Sequence, residues 1–322
     1  MRIDIATLFP EMCENVFSES ILGRGIKNGF IEVYAHNIRD YTENKHRNVD
    51  DKPYGGGTGM VMQAQPIFDC VEAIKSRINA KSRVIYLSPK GETLTQKKVA
   101  ELAREESLIL ICGHYEGVDE RVLEELEAEE ISVGDYVLTG GELPALIITD
   151  AVARLQKGVL PNEDAYSIES HYNGLLEFPQ YSRPEEWRGR RVPEVLISGD
   201  HKSVREWQEK MSIEVTKKKR PDLYEAFVER KIREIRENFI QEKNTEISEN
   251  AAFFVLILSR EQLKTVLRGK RAELPNNGYA KGDYVIIANE QMTPRCIVIV
   301  TKTMEKSVYF RTVYKIKGEN ND

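Results

Sequence analysis

The chain is 322 residues long, with 41% hydrophobic and 30% charged residues and a net charge of -6 at pH 7. That length predicts two or three domains, and the composition is typical of a globular protein. The negative charge gives no global reason to expect a nucleic-acid partner. Basic runs at 187–191 and 217–220 nevertheless leave locally positive surface available.

The sequence contains no sign of export, membrane insertion or a metal centre. The N-terminal apolar run includes Asp4 and stops at Pro10, and no later run is long enough to span a bilayer, so we expect a cytoplasmic protein with no membrane contact. The cysteines are widely spaced and form no CxxC pair, which argues against zinc or disulfides and favours buried free thiols. They are Cys13, Cys70, Cys112 and Cys296.

The first half of the chain alternates strand-like and helix-like patterns. Short β-branched runs predict strands at 3–9, 31–36, 83–87, 108–111 and 131–133. Apolar residues at helical spacing predict helices at 67–78, 95–104 and 142–157, the last with Asp150 and Arg154 one turn apart. This alternation predicts an α/β fold with a mostly parallel sheet.

The second half predicts two further folded regions. Residues 158–182 lack a clear period and are interpreted as a linker, whereas 202–215 and 221–241 are helical in pattern. A polar stretch at 241–246 marks another boundary. Beyond it, strands are predicted at 253–258, 284–288, 296–301 and 308–316, with a helix at 261–267. The predicted domains are therefore 1–160, a linker at 161–182, a helical domain at 183–243 and a β-rich domain at 250–318.

Three glycine-bearing segments lie where an α/β sheet presents loops. They are PYGGGTGM at 53–60, ICGHYEGVDER at 111–121 and ISVGDYVLTGGE at 131–142. None matches the dinucleotide-binding or P-loop pattern, so a nucleotide-dependent oxidoreductase or phosphotransferase loses its usual support. The first segment alone is also compatible with a flexible surface loop. The other two join a strand to a helix, where ligands of open α/β sheets bind.

In their residues, order and spacing, these segments closely resemble those of the bacterial tRNA (guanine-N1)-methyltransferases that act at position 37, which belong to the SPOUT superfamily. The resemblance runs from residue 1 to about residue 242. It implies a homodimer and a SPOUT-type parallel sheet with a deep trefoil knot, here followed by a small helical domain and a small β-rich C-terminal domain. It also implies tRNA as the partner.

The resemblance assigns three loops to the methyl donor, S-adenosyl-L-methionine. Glycines would let the backbone approach the adenine and ribose, and loop amides would provide directional hydrogen bonds. Leu87, Val133 and Leu138 would form apolar walls, whereas Val137 is expected to pack in the core. The predicted set is Tyr86, Leu87, Ser88, Pro89, Gly113, Tyr115, Glu116, Ser132, Val133, Gly134, Asp135, Tyr136, Val137, Leu138, Gly140, Gly141 and Pro144.

Methylation at guanine N1 requires a base for the N1 proton and a cation for the charge that develops on O6. By matching position, the resemblance gives the cation role to Arg154 and the base role to Glu169, where the family has an aspartate. Glu177 and Asp164 are alternative carboxylates, each more simply a solvated or capping acid. His171, beside Glu169, is expected to contact RNA or to have no role.

The resemblance also predicts RNA-contacting residues. They are His46, Asp50, Gly59, Ser198 and His201, with Asp50 reading the guanine edge. Arg183 and the basic run at 217–220 would contact phosphates. The target base must leave its stack, and Tyr166, Tyr172 or Phe178 would stack on it, although Phe178 is equally suited to core packing at the dimer interface. No metal ligand is assigned, and Mg2+ dependence is left open.

Other interpretations remain. A knotted RNA-binding protein without transfer activity would explain the glutamate at 169, and a related knotted methyltransferase would act on another RNA position. The third domain faintly resembles ASCH and PUA RNA-associated barrels at 266–273 and 279–283, and a generic interaction domain is an equal alternative.

Overall fold

A computed structural model describes residues 1–78, 80–160, 166, 169–240, 254–267, 273–275, 284–288, 294–303 and 307–315. The backbone forms two compact units, Met1–Ile168 and Glu169–Asp322. The candidate base Asp164 and the segments 268–272 and 279–283 lie outside the described residues.

The first unit is an α/β unit built on one parallel sheet. Its strands follow the order β2-β1-β6-β5-β7, and every pairing is parallel. In chain order the elements are β1 (Arg2–Thr7), α1 (Pro10–Phe17), α2 (Ser20–Lys27), β2 (Glu32–Asn37), a 3-10 helix (Ile38–Tyr41), β3 (Asp50–Asp51), β4 (Val61–Met62), α3 (Ala64–Lys75), β5 (Ser82–Thr93), α4 (Gln96–Leu102), β6 (Ser107–Cys112), α5 (Glu120–Glu125), β7 (Glu129–Ser132) and α6 (Glu142–Ala153).

Helices cover both faces of this sheet. Every residue of β6 is buried, because its side chains enter one apolar layer with α1, α2 and α6 and another with α3 and α5. Near-continuous apolar strands are expected where a parallel sheet is covered on both sides. The predicted parallel α/β architecture is therefore confirmed.

The boundaries of several elements differ from the sequence predictions. β1 ends at Thr7, before Pro10 begins α1, and β5 continues to Thr93, well beyond residue 87. The helix predicted at 142–157 ends at Ala153. The eight-residue helices α1 and α2 were not predicted, since each is too short to establish a helical period.

One buried charge cluster joins the neighbouring strands β1 and β2. Asp4 is fully buried and accepts hydrogen bonds from Arg2 at 2.7 and 2.8 Å, while His36 Nε2 lies 2.7 Å from it. Burial opposes ionisation, but these two partners outweigh it and lower the pKa of Asp4 below its usual value. All four cysteines are buried and free, as predicted.

The second unit contains helices and a mixed sheet, which agrees with the predicted elements. Its strands β10, β12, β13, β14 and β11 are neighbours in that order; β10 and β12 are parallel and the other pairings antiparallel. The elements are β8 (Glu186–Trp187), β9 (Arg190–Arg191), α7 (Glu194–Ile197), α8 (His201–Lys219), α9 (Pro221–Ile240), β10 (Phe254–Ile257), α10 (Arg260–Leu267), β11 (Glu273–Pro275), β12 (Tyr284–Ala288), β13 (Pro294–Thr303) and β14 (Ser307–Lys315).

The segment before β8 packs on α8 within this unit. Phe178 is buried and contacts the Trp207 ring edge-on at 6.5 Å, and Leu176 N–H donates to Thr216 Oγ1 at 2.8 Å. Phe178 therefore has a packing partner in its own chain. Across the described ranges, no helix is both long enough and apolar enough to cross a bilayer.

Candidate active site

A cleft of about 320 Å³ lies at the carboxyl edge of the parallel sheet. Residues 86–90 of β5 and the ends of β6 and β7 form its floor, and the loops after β6 and β7 and the first turn of α6 form its walls. Ligands of open α/β sheets bind at this edge, because the loops converge there. The cleft is lined by Tyr86, Leu87, Ser88, Pro89, Lys90, Gly113, His114, Tyr115, Glu116, Gly117, Ile131, Ser132, Val133, Gly134, Tyr136, Val137, Leu138, Thr139, Gly140, Gly141 and Pro144.

The predicted cofactor residues meet in this one cleft, with the exception of Asp135, which does not line it. Lys90, Gly117 and Ile131 also line it and were not predicted. Val137 does not pack in the core as expected: it is 82% exposed, because the loop after β7 projects its side chain toward solvent and the mouth of the cleft. The structure shows that these residues line one cleft, and their binding of a cofactor stays a prediction.

Gly141 closes the junction between β6 and α6. Its N–H donates to the carbonyl of Gly113 at 3.0 Å, and a Cβ at this position would lie 2.6 Å from Cys112 Cα. Backbone atoms cannot move aside as a flexible side chain can. Glycine is therefore needed here for close backbone approach, which sets the width of the cleft.

Tyr86 lies on the floor with its hydroxyl under Gly113 and Gly117. Burial raises the pKa of Tyr86 to about 12. The phenol is consequently protonated at neutral pH and retains a hydrogen atom to donate.

A buried carboxylate that the sequence analysis missed lies behind the cleft wall. Glu142 Oε1 accepts a 2.6 Å hydrogen bond from Thr7 Oγ1, and Oε2 lies 3.0 Å from His114 Nε2. Glu142 is in the first turn of α6, where the helix dipole favours a negative charge. Its position one turn before the buried Ala145 and Leu146 was the signal that it faces inward.

The segment predicted to contact RNA in this unit adjoins the cleft. Asp50 pairs with Met62 across β3 and β4, and Met62 Sδ accepts from His114 N–H at 3.3 Å. Gly59 lies against the Glu116 side chain. His46 is exposed farther along the same loop. The structure thus brings Gly59 against a cleft residue, and Asp50 pairs with Met62, which contacts another.

Arg154 does not line the cleft. It caps the C-terminal end of α6, with its N–H donating to Asp150 O at 3.1 Å, and borders a cavity of about 150 Å³ with Leu160 and Tyr166. Pro144, in the cleft wall, lies ten residues earlier, or about 15 Å along the helix axis. An arginine side chain is shorter than that span.

The other predicted residues lie in the second unit. Glu169 is half-buried, and its backbone carbonyl accepts from Tyr172 N–H at 3.4 Å, while the neighbouring His171 is exposed. Ser198 and His201 are exposed on either side of Asp200, which caps α8 by accepting from Lys202 N–H at 3.0 Å. In the part of the chain that the structure describes, no three or more His, Cys, Asp or Glu side chains form a group that could hold a metal ion.

Comparison with known proteins identifies the family. The model of the family described as tRNA (Guanine-1)-methyltransferase TrmD matches residues 1–226. Relatives named tRNA (guanine-N(1)-)-methyltransferase include one from Ruminiclostridium cellulolyticum, 55% identical over 70% of this chain and 96% of its own, and one from Lachnospira eligens, 52% identical over 73% of this chain and 100% of its own. A third, from Alkaliphilus metalliredigens, is 53% identical over 69% of this chain and 91% of its own. The chain therefore belongs to the tRNA (guanine-1)-methyltransferase family.

Proposed function

We propose that the chain transfers a methyl group from S-adenosyl-L-methionine to N1 of guanosine 37 in tRNA. The observation that carries the proposal is the single cleft formed by residues 86–90 of β5 and the loops after β6 and β7, the segments through which the chain resembles its family.

The residues of the cleft suit this methyl donor. Leu87 and Leu138 offer apolar contact for a purine ring, and the loop backbone offers amides and carbonyls at its edges. Glu116 and Lys90 supply charges of both signs for an amino-acid moiety. When bound, S-adenosyl-L-methionine supplies an electrophilic methyl group on a sulfonium centre.

The chain's own residues would handle the proton and the developing charge. Glu169 accepts the N1 proton as the new N1–carbon bond forms and the carbon–sulfur bond breaks. The Arg154 guanidinium stabilises the negative charge that moves onto O6. Glutamate in place of the family's aspartate keeps the carboxylate on a longer stem.

The position of Arg154 supports a homodimer. Because α6 separates Arg154 from the cleft wall by about 15 Å, an Arg154 guanidinium at the guanine would come from a second copy if the methyl donor occupies the cleft. Adjacent helices α1 and α6 also carry exposed apolar side chains that a partner would cover. These are Met12, Val16, Leu143 and Ile147, together with Phe9 just before α1.

This arrangement has a direct test in mixed dimers. An Arg154→Ala chain keeps a complete cleft, and a Gly141→Ala chain keeps its arginine, so a mixed dimer has one intact site. With S-adenosyl-L-methionine held well below saturation, Arg154→Ala alone should be nearly inactive and Gly141→Ala alone strongly impaired, and refolding the two together should restore part of the transfer rate. Absence of any recovery, with mixed dimers demonstrated by differential tags, would argue against a shared site.

Residues of the second unit would position the RNA. Ser198 and His201 flank the N-terminal end of α8, where backbone N–H groups favour a phosphate. Tyr172 is 49% exposed and would stack on an extruded base. Asp50 would accept hydrogen bonds from the guanine edge.

Further elements of the proposal come from the family resemblance. They are a trefoil knot in the parallel sheet, a cytoplasmic location, an RNA-associated role for the C-terminal domain and domains divided at 160, 182 and 243. The buried free thiols agree with a reducing compartment. Mg2+ would act through the RNA or the substrates, and measuring the methyl-transfer rate during titration with EDTA tests whether the reaction requires it.

The substrate assignment is tested with two tRNA transcripts that differ only at position 37. Labelled methyl from S-adenosyl-L-methionine should enter a transcript with guanosine at 36 and 37 and not its adenosine-37 counterpart, and mass mapping should identify 1-methylguanosine. Equal labelling of both transcripts would indicate another target position. Cofactor binding without transfer would favour an RNA-binding protein that has lost its activity.

A further inference from the structure

A small basic hairpin projects from the second unit and has no role in the proposed reaction. β8 and β9 pair antiparallel, with Glu186 opposite Arg191 and Trp187 opposite Arg190. The two residues of the turn, Arg188 and Gly189, have φ of 52° and 76°. Positive φ at both positions is the geometry of a tight two-residue hairpin turn.

The hairpin presents an aromatic ring to solvent. Every residue from 181 to 191 is exposed, and Trp187 is 60% exposed. Tryptophan is usually well buried, and a two-stranded ribbon without a covering layer offers no core for it. The Arg188 guanidinium lies over the Trp187 ring, 5.0 Å from the ring centroid. Exposed aromatic surface of this kind suits a planar partner.

The charge at this tip is opposite to that of the whole chain. Residues 187–191 contain Arg188, Arg190 and Arg191 and no acid, in a protein whose net charge is -6. Arg191 is neutralised by Glu186 at 3.3 Å and lies 3.9 Å from Glu185. Within the described residues, neither Arg188 nor Arg190 has a carboxylate within 4.0 Å. Two guanidinium groups therefore flank the ring without a local counter-ion.

We propose that this hairpin is a tRNA-binding element, in which Arg188 and Arg190 contact phosphates and Trp187 stacks on an unpaired base. The proposal rests on the proposed function, which makes tRNA the substrate. A guanidinium fork matches the geometry of a phosphate, and an aromatic ring accepts any base because every base has a π face. The combination favours a nucleic acid over an apolar protein surface.

The test measures the affinity for an unmodified tRNA transcript at several salt concentrations. The variants are Arg188→Ala/Arg190→Ala and Trp187→Ala, compared with Arg104→Ala, an exposed arginine of the first unit. The double variant should bind about tenfold more weakly and lower the salt slope by about 1 to 2. Trp187→Ala should bind about fivefold more weakly with the slope unchanged, because stacking releases no counter-ions.

Conservative variants separate contact from folding. Trp187→Phe keeps a ring and should retain most of the affinity, and Arg188→Lys/Arg190→Lys keeps the charge and should retain the salt slope. In a Trp207→Phe background Trp187 is the only tryptophan of the chain. Its fluorescence should be quenched by tRNA and become protected from acrylamide.

The outcomes distinguish this proposal from the proposed function. If the wild type methylates tRNA while the hairpin variants bind like Arg104→Ala and Trp187 fluorescence is unmoved, the hairpin proposal is overturned and the function stands. A wild type that binds no tRNA overturns both. Weakened binding with an unchanged affinity for S-adenosyl-L-methionine supports the hairpin as an RNA contact.

Discussion

Gly141→Ala should damage the cleft by a packing conflict alone. Gly141 has φ of -83° and ψ of -5°, a conformation that alanine adopts without strain. The added Cβ would nevertheless lie 2.6 Å from Cys112 Cα and 3.0 Å from the Gly113 nitrogen. Because carbon atoms normally approach to about 3.5 Å, the start of α6 must move about 1 Å from the end of β6.

That displacement should affect both stability and binding. Overpacking of this kind costs about 1–3 kcal/mol of folding free energy, and the shifted wall also carries the Gly140 and Pro144 contacts of the cleft. Affinity for S-adenosyl-L-methionine, measured by calorimetry, should fall about tenfold or more, and thermal unfolding should begin several degrees lower.

A matched control separates the two effects. Gly29 has φ of +74° and open space where a Cβ would lie, so Gly29→Ala should cost about 1–2 kcal/mol through backbone strain alone. It should lower the melting temperature and leave the cofactor affinity unchanged. If Gly141→Ala binds the cofactor like the wild type, the junction does not set the width of the cleft.

Three further predictions concern buried groups. Asp4→Asn should lower the free energy of unfolding at pH 7 by about 2–3 kcal/mol. Because folding lowers the pKa of Asp4, the difference from wild type should disappear as the pH falls through the pKa of the folded state. A difference that does not change with pH would contradict the pairing of Asp4 with Arg2 and His36. Glu142→Gln should weaken the cofactor affinity and cost about 1–3 kcal/mol in denaturant unfolding, whereas the exposed control Glu124→Gln should do neither. All four cysteines are buried, and burial raises the pKa of Cys13 and Cys70 to about 12. Ellman's reagent at pH 8 should therefore label the four thiols only after unfolding. Rapid labelling of the native chain would show that the thiols are accessible.

Much of the fold was predictable because the signals were local and repeated. The β-branched runs alternating with helical patterns identified the five strands of the parallel sheet, most clearly β6, which is buried on both faces and almost wholly apolar. The extension of β5 to Thr93 was hidden by Pro89 and Gly91, which ordinarily interrupt a strand. Proline is tolerated there because the residues after it no longer pair on both sides.

The candidate site was predicted more unevenly. The three predicted cofactor segments identified the cleft residues; two are loops after strands of the same sheet, and the third, at 86–89, lies within β5. Glu142 was overlooked since an acid in a first helical turn is usually solvated, and only its inward position reveals the Thr7 and His114 partners. Val137 was assigned to the core on hydrophobicity alone, although a glycine-rich loop leaves it 82% exposed.

The central claim is tested most directly by methyl transfer from S-adenosyl-L-methionine to guanosine-37 tRNA, comparing wild type with Glu169→Gln and Glu169→Asp. We expect the wild type to form 1-methylguanosine, the glutamine variant to lose nearly all transfer while binding both substrates, and the aspartate variant to keep measurable activity. Transfer by Glu169→Gln at the wild-type rate would contradict the assignment of Glu169 as the base, and absence of product from the wild type would contradict the proposed function itself.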